Sequence, residues 1–325
     1  MLEPENASSD KVVIAGVDGH VRATASFTPI QLPYVGCAGA VPPPQAYTLG
    51  DRVYFLDGTG TVRYLDTKGN VVELARFPHA EAQQEISFAV SPDGRQALGT
   101  VLTLPPTPVG NSCSNGVDFA PGDFTLDVYT VEAGQAPLRR VSHQTFPQAN
   151  PAASIVSFIG WDGVGPIATN PTVVGTQGGG PAHWFGHPVR TDLAGKVVSE
   201  LGGKDCNATD DLLDATVACA LETSTSVRRA DGSEIWHASQ QLLGGRLSPD
   251  GRRVVGFGQS GQVVMAAEGS TVSLIGEFFA NGWLDNATVI GNFVGGEVGI
   301  QKIAPLTAAK GQGFKGTFVG VVQRP

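Results

Sequence analysis

The chain has 325 residues, a net charge of -9 and a pI of about 5.1. Its basic residues form no cluster, which argues against nucleic-acid binding because that function needs a concentrated basic surface. No apolar run reaches the roughly 18 residues that a membrane-spanning helix requires. The 43 glycines, the 22 prolines and a charged fraction of only 16% are typical of short strands joined by tight turns.

The first ten residues are polar and lack the basic and apolar regions of a signal peptide. We predict that residues 1–10 form a tether of the kind found in secreted proteins and lipoproteins. Either the chain is cytosolic, or its signal peptide has been removed. Residues 11–28 then have the pattern of a β-hairpin.

Pairs of alternating apolar and polar runs, joined by turns that contain glycine, follow along the whole chain. Residues 61–66 and 71–77 are one pair, and residues 261–266 and 271–278 are another. Alternation with a period of two and glycine at the turn indicate antiparallel hairpins. The hairpins group into units of four strands with these approximate bounds: 46–78, 85–146, 154–203, 206–239, 241–279 and 280–323.

One tetrapeptide occurs twice without gaps, as Ser91-Pro92-Asp93-Gly94 and as residues 248–251. Proline fixes φ at the second position, aspartate bonds to its own backbone, and glycine accepts a positive φ. These are the requirements of a tight turn between two antiparallel strands. A second, weaker sequence similarity relates Trp161-Asp162-Gly163 to the segment that begins at Trp283.

Together with the strands around it, the Ser-Pro-Asp-Gly turn resembles the repeat of TolB-like β-propellers. In that family the tetrapeptide joins the first two strands of a blade. The resemblance is specific at residues 91–94 and 248–251. The spacing of strands and turns that goes with it extends over nearly the whole chain. The resemblance implies a propeller fold and says little about the function of the protein.

We therefore predict an all-β chain whose residues 11–325 form a single β-propeller of four-stranded antiparallel blades. Propellers commonly close by combining strands from both ends of the chain in one blade, which removes an exposed sheet edge. If residues 11–28 belong to such a composite blade, the propeller has seven blades. If they extend an existing blade it has six, and we favour seven.

Four cysteines are present, and none has the C-x-x-C spacing of a metal site. Three disulfide pairings are possible, of which we favour Cys37–Cys113 and Cys206–Cys219. Four free thiols are the alternative. Disulfides persist outside the cytosol, so this preference places the protein in the periplasm, on the cell surface or in the medium.

Two long loops rich in glycine and proline, 103–123 and 169–188, join the second and third strands of consecutive blades. Long loops in a compact domain often carry function, so we place the candidate site at this end of the central channel. The candidate binding residues at this end are His143, His183, Trp184, His187, Arg190, Asp118 and Asp123.

Both loops contain residues that can ligate metal ions. His183 and His187 are four residues apart, a spacing that suits zinc on a helix, but Gly186 and Pro188 disfavour a helix. Asp118 and Asp123, with Asp127, lack the compact spacing of a calcium loop. We predict no metal ligand and no cofactor, with calcium and zinc kept as alternatives.

No catalytic motif accompanies the repeats, so we favour a monomeric, extracytoplasmic scaffold that is not an enzyme. Its loop-rich face would bind a peptide, a glycan or a protein partner. The alternative is a propeller hydrolase or lyase, similar to a lactonase, with a metal or carboxylates at the channel mouth. A structural subunit of an envelope complex is a third possibility.

Overall fold

The computed structural model describes residues 1–6, 8–30, 45–79, 84–104, 123–132, 138–146, 156–170, 187–213, 216–259 and 261–322. Every regular element in these ranges is a β-strand, and the 27 strands form seven antiparallel sheets. Each sheet contacts the sheets before and after it in the chain, so the sheets form a closed ring. The chain is therefore a seven-bladed β-propeller, as the sequence predicted.

Six blades consist of four consecutive strands, here called A to D from the channel outward. The bounds of the first three are as follows. Blade 1 has β4 (Ala46–Leu49), β5 (Arg52–Leu56), β6 (Thr61–Asp66) and β7 (Val71–Arg76). Blade 2 has β8 (Gln84–Val90), β9 (Gln96–Thr103), β10 (Phe124–Glu132) and β11 (Arg139–Phe146). Blade 3 has β12 (Ser157–Trp161), β13 (Pro166–Asn170), β14 (His187–Thr191) and β15 (Val197–Glu200).

The next three blades repeat this order. Blade 4 has β16 (Asn207–Leu213), β17 (Thr216–Ala220), β18 (Thr225–Arg228) and β19 (Glu234–Ala238). Blade 5 has β20 (Leu243–Leu247), β21 (Arg253–Gly258), β22 (Gly261–Ala266) and β23 (Thr271–Ser273). Blade 6 has β24 (Phe278–Asp285), β25 (Thr288–Phe293), β26 (Glu297–Ile303) and β27 (Leu306–Lys315).

Blade 7 combines both ends of the described chain. Strands β1 (Leu2–Asn6), β2 (Ser9–Ala15) and β3 (Val21–Phe27) form a three-stranded sheet. Leu2 and Thr317 exchange two backbone hydrogen bonds of 2.9 and 2.8 Å. The segment 317–322 therefore lies next to β1, on the side that faces the channel. This is the composite blade that the sequence suggested for residues 11–28.

Residues 1–10, predicted to be a tether, instead contain β1 and the start of β2. The alternation in this segment was hidden because a charged residue occupies an inward position. Glu3 is buried, and one of its carboxylate oxygens lies 3.1 Å from Lys11 Nζ. The partly buried Leu2 packs against the apolar core between blades 7 and 1.

The two Ser-Pro-Asp-Gly segments join strands A and B, as predicted. In the turn of blade 2, Ser91 Oγ donates to Asp93 Oδ1 at 2.6 Å, and the amide of Gly94 donates to the Ser91 carbonyl at 2.8 Å. Gly94 has a φ of 69°, which explains the glycine at this position. The same two bonds, with the same lengths, recur in the turn 248–251.

The core lies between neighbouring blades. Strand β10 shows the simplest pattern, because Phe124, Leu126 and Val128 are buried in alternation with less buried residues. Strand β9 has six consecutive buried residues, since both of its faces are covered by other blades. A ring of packed sheets requires both patterns. Its outer strands are buried on one face, and its inner strands are buried on both faces.

A disulfide joins Cys206 to Cys219 in blade 4, which confirms one predicted pairing. Both residues are fully buried and pack with Val217. The other predicted pair, Cys37 and Cys113, lies outside the described residues.

Candidate functional site

The described part of the central channel contains a cavity of about 800 Å³. It lies at the end of the propeller that carries the turns between strands A and B. Its wall is built by the A strands of blades 1, 2, 3, 5 and 6 and by the segment 317–321, because A strands are the innermost strands of a propeller. The lining includes Gln45, Tyr47, Thr48, Trp161, Arg246, Asn281, Trp283, Thr317 and Phe318.

Tyr47 joins this cavity to the core between blades 1 and 2. Its ring centroid lies 5.8 Å from that of Tyr54 and 5.2 Å from that of Phe88. Burial raises the pKa of the Tyr47 hydroxyl well above its ordinary value, so the phenol stays neutral. The backbone of Val90 is a polar neighbour of this hydroxyl.

Two other aromatic residues hold the opposite wall of the cavity. Trp283 is 5% exposed, and its indole N–H donates to the Arg246 carbonyl at 2.9 Å. This bond ties blade 6 to blade 5. The ring of Phe318 lies directly over Gly282, where any side chain would overlap it. The inner wall is therefore fixed by packing rather than by flexible side chains.

Amide groups supply hydrogen-bonding capacity at the same wall. Asn281 Nδ2 donates to Asn292 Oδ1 at 2.5 Å, and the Asn292 amide donates in turn to the Gly296 carbonyl at 3.1 Å. Asn281 is thus oriented by a side chain that is itself anchored to the backbone. Asn281 is one of the residues that line the cavity.

A buried ion pair fixes the turn between strands A and B of blade 3. Arg190 Nη1 and Nη2 donate to the two carboxylate oxygens of Asp162, at 2.5 and 2.7 Å. The backbone amides of Val164 and Gly165 donate to the same carboxylate at 2.8 and 2.9 Å. Burial acts to raise the pKa of Asp162, but the hydrogen bonds from Arg190 and the two amides outweigh it and lower the pKa.

A second cavity, of about 790 Å³, adjoins the first between the A–B turns of blades 2 and 3. We call it the interblade groove. It shares Pro92, Trp161, Asp162 and Gly163 with the channel cavity. Its other lining residues are Ser91, Asp93, Arg95, Gln96, Glu132 and Val164.

The sequence placed the candidate site at the opposite end of the channel, and most of that end lies outside the described residues. Both long loops fall largely outside them, and so do Asp118, His183 and Trp184. His187 begins β14, opposite Asn170 in the sheet. The loop-rich end therefore stays a prediction.

Besides His187, three of the predicted site residues lie within the described ranges. Arg190 is engaged in the buried pair with Asp162, so it stabilises a turn. His143 lies on the outermost strand of blade 2, away from the channel, and its Nδ1 is 2.7 Å from Asp127 Oδ1. Asp123 is exposed just before β10. These three residues do not converge on one site.

A small polar cluster does occur at the predicted end of blade 1. Asp57 is buried and lies 2.8 Å from Arg63 Nη1. Burial lowers the pKa of the nearby His79, while the negative charge of Asp57 acts in the opposite direction. The Thr59 hydroxyl donates to the Asp57 carboxylate at 2.5 Å, so these contacts already satisfy the turn.

Sequence reasoning missed the channel cavity because its residues look like packing residues. Trp161 and Trp283 both have the sequence pattern of strand residues, and contacts between neighbouring blades would explain a tryptophan at either position. That explanation is right for Trp283. It is also right for Trp161, which packs against the core between blades while its partly exposed side chain lines both cavities. Position in an A strand next to an A–B turn is the one sequence signal that could have identified Trp161.

Two features are absent from the described residues. No group of three or more His, Cys, Asp or Glu side chains in the described ranges is arranged to hold a metal ion. No helix long and apolar enough to cross a bilayer occurs in the same ranges.

Among known proteins, this chain resembles solved structures, and the resemblance concerns the fold alone. No protein-family model matches the chain, and no curated protein matches it significantly. An oligogalacturonate lyase in complex with manganese superposes with a TM-score of 0.48 and 10% identity, over 79% of this chain and 75% of that one. An oligogalacturonate lyase of Vibrio parahaemolyticus gives a TM-score of 0.47 at 10% identity, with the same coverage of 79% and 75%.

The dipeptidyl peptidase 4 of Porphyromonas gingivalis gives a TM-score of 0.50 at 9% identity. That alignment covers 96% of this chain and 50% of the peptidase. A likeness at 9–10% identity concerns the fold alone and carries no activity across. Of these three alignments, the one with the peptidase reaches a TM-score of 0.50, and it agrees with the propeller architecture that the strands of this chain display.

Proposed function

We propose that this propeller is a binding module that holds a polar ligand at the end of its channel formed by the A–B turns. The observation that carries the proposal is the cavity of about 800 Å³ lined by Tyr47, Trp161, Phe318 and Asn281. Concave sites with aromatic walls and a few oriented polar groups are the usual form of a small-molecule site. The rigid inner wall supports binding without a large cost of ordering side chains.

The chemistry of the lining favours a ligand with both hydroxyl or amide groups and an apolar face. Aromatic rings contact the apolar face of such a ligand, and the side chains of Asn281 and Gln45 can bond to its polar groups. The loop-rich opposite end, with Trp184, is proposed as a contact surface for a peptide, glycan or protein partner. The relation to TolB-like propellers is likewise proposed on the two Ser-Pro-Asp-Gly turns.

We also propose that the protein works outside the cytosol. The buried Cys206–Cys219 disulfide supports this location, because reducing conditions in the cytosol keep most thiols free. The alternative of a propeller hydrolase or lyase stays a prediction.

Thermal unfolding of the full chain tests the binding proposal. Pools of neutral oligosaccharides and of short peptides would be screened against the wild type and Trp161→Ala. A ligand at about 100 times its Kd stabilises the fold by about 2.7 kcal/mol, which is readily detected. We expect stabilisation of the wild type and a reduced effect in Trp161→Ala.

Asp231→Asn, in an exposed turn of blade 4, is the control and should bind like the wild type. Equal stabilisation of the wild type and Trp161→Ala by every active pool would contradict a site in this cavity. Stabilisation of neither protein by any pool would contradict the binding function itself.

A further inference from the structure

The channel cavity and the interblade groove meet at a single aromatic residue. Trp161 is the last residue of β12, and the turn 162–165 carries it to the rim of both cavities. Pro92 faces it from the A–B turn of blade 2, and it also belongs to both linings. The two spaces are therefore neighbours across Trp161 and Pro92, and together they run from the channel outward between blades 2 and 3.

Both sides of the groove are held by rigid turns. On the blade 3 side, the carboxylate of Asp162 is occupied by Arg190 and two backbone amides, so its role is to fix the turn. On the blade 2 side, Ser91 Oγ accepts the amide of Gln96 at 2.9 Å, and Asp93 Oδ1 accepts the amide of Arg95 at 3.0 Å. The groove is thus preformed.

The groove offers hydrogen-bonding groups beside a small apolar surface. Val164 is 79% exposed at the blade 3 rim, next to the aromatic ring of Trp161. Across from it lie Gln96 and Glu132 of blade 2, on strands β9 and β10 that pair at this point. Apolar contact on one side and a row of polar groups on the other suit a ligand whose units each have an apolar face and several hydroxyls.

The charges of the groove disfavour an anionic ligand. Its carboxylates that are not consumed by a buried ion pair are Asp93 and Glu132, and its cation is Arg95. Asp93 Oδ2 lies 4.0 Å from Arg95 Nε, and both side chains are largely exposed. Hydrogen bonds from Ser91 and the Arg95 amide lower the pKa of Asp93, so this carboxylate is ionised at neutral pH.

We propose that the ligand of this propeller is a linear, uncharged oligosaccharide whose chain passes from the channel cavity over Trp161 into the interblade groove. This inference rests on the proposed binding function and specifies the class of ligand. One end of the oligosaccharide occupies the channel beside Tyr47 and Asn281. The other end occupies the groove, where its hydroxyls bond to Gln96 and Glu132.

Calorimetric titration with oligosaccharides of increasing length tests the inference. The probes are glucose and N-acetylglucosamine oligomers of one to six units, with galacturonate oligomers as charged counterparts. We expect the affinity of a neutral series to rise at least tenfold between two and six units. We expect galacturonate oligomers of the same lengths to bind at least tenfold more weakly.

Point variants distinguish binding in the channel cavity from binding in the interblade groove. Glu132→Gln and Gln96→Ala should reduce the affinity for six units several-fold and leave the affinity for two units unchanged. Trp161→Ala should weaken all lengths. Trp161→Phe keeps an aromatic ring and the packing, so it guards against loss of folding. Glu73→Gln, on the outermost strand of blade 1, is the matched carboxylate control and should behave like the wild type.

The outcomes are distinguishable. Affinity that is independent of length, or groove variants that bind six units like the wild type, would overturn the path through the groove while the channel site stands. Binding of peptides or galacturonate in preference to neutral oligosaccharides would overturn the ligand class. Absence of binding to any probe, with no effect of Trp161→Ala, would overturn the proposed function as well.

Discussion

Arg190 on β14 forms a two-point pair with Asp162, which lies in the turn between β12 and β13. The side chains are only 10% and 16% exposed, so the charges are shielded from water. The pair spans the blade from its third strand to its innermost turn. It holds the turn that carries Trp161 to the edge of both cavities.

Removal of one partner should therefore be costly. We expect Arg190→Met to lower the free energy of unfolding by about 2 kcal/mol, because it leaves a largely shielded carboxylate without its counter-charge, with only the two backbone amides as donors. Urea unfolding followed by circular dichroism measures the loss. Arg22→Met is the control, since Arg22 and its partner Asp18 are 53% and 47% exposed, and we expect little or no loss there. Equal losses in the two variants would contradict a special role for the buried pair.

The same pair predicts a pH dependence. The pKa of Asp162 is lowered in the folded protein, so its contribution is complete above the unfolded value of about 3.9. It is lost as the pH falls below that value and through the lower folded pKa. The difference in unfolding free energy between the wild type and Asp162→Asn should thus be constant from pH 7 to 5 and shrink below pH 4. A difference that grows on acidification would contradict this assignment.

Gly99 on β9 is required by the ring of Phe77, which covers it so closely that a methyl group would overlap the ring. Gly99→Ala should lower the free energy of unfolding by about 1–3 kcal/mol, the usual cost of overpacking. Gly160→Ala is the control, because no atom lies within 4 Å of the added methyl group, and we expect a change below about 1 kcal/mol. Chemical unfolding of both variants provides the comparison.

The disulfide of blade 4 closes a short loop, with a sequence separation of 13 residues. Replacing Cys206 and Cys219 by alanine should cost about 3 kcal/mol, since the unfolded chain regains the freedom of that loop. Alanine is chosen because both sites are fully buried and apolar. Sensitivity of the double variant to reductant would report on Cys37 and Cys113, whose pairing is still a prediction. A double variant as stable as the oxidised wild type would contradict the expected contribution.

Closure of the ring can be tested at the segment 317–322. Val319 and Val322 pack against the core shared by blades 7 and 1. A chain that ends at Gly316 should lose about 2 kcal/mol or more of stability. It lacks the packing of the partly buried Val319 and Val322, the contact of Phe318 with Gly282, and the backbone bonds between Leu2 and Thr317. A chain that ends at Val322 keeps the segment and is the control. Equal unfolding midpoints of the two truncated chains would contradict a closing role.

Much of the fold could be predicted because propeller blades are local units with clear signals. The turns 91–94 and 248–251 depend on residue types that only a tight turn explains. β1 escaped prediction because the inward position of Glu3 is compensated by Lys11, a contact that a sequence does not display. The channel cavity could not be predicted from the sequence either. The exposure of Trp161 depends on where five other blades place their inner strands.

The pairing of Leu2 with Thr317 has a consequence for biosynthesis. These residues are separated by almost the whole described chain, yet each completes the backbone bonding of the other. Blades 1 to 6 can form one after another as a nascent chain lengthens, but the ring can close only after residue 317 has been made. Until then the inner edge of β1 has no pairing strand, and such edges invite aggregation. Residues 317–322 therefore decide when this strand edge is protected from pairing with other chains.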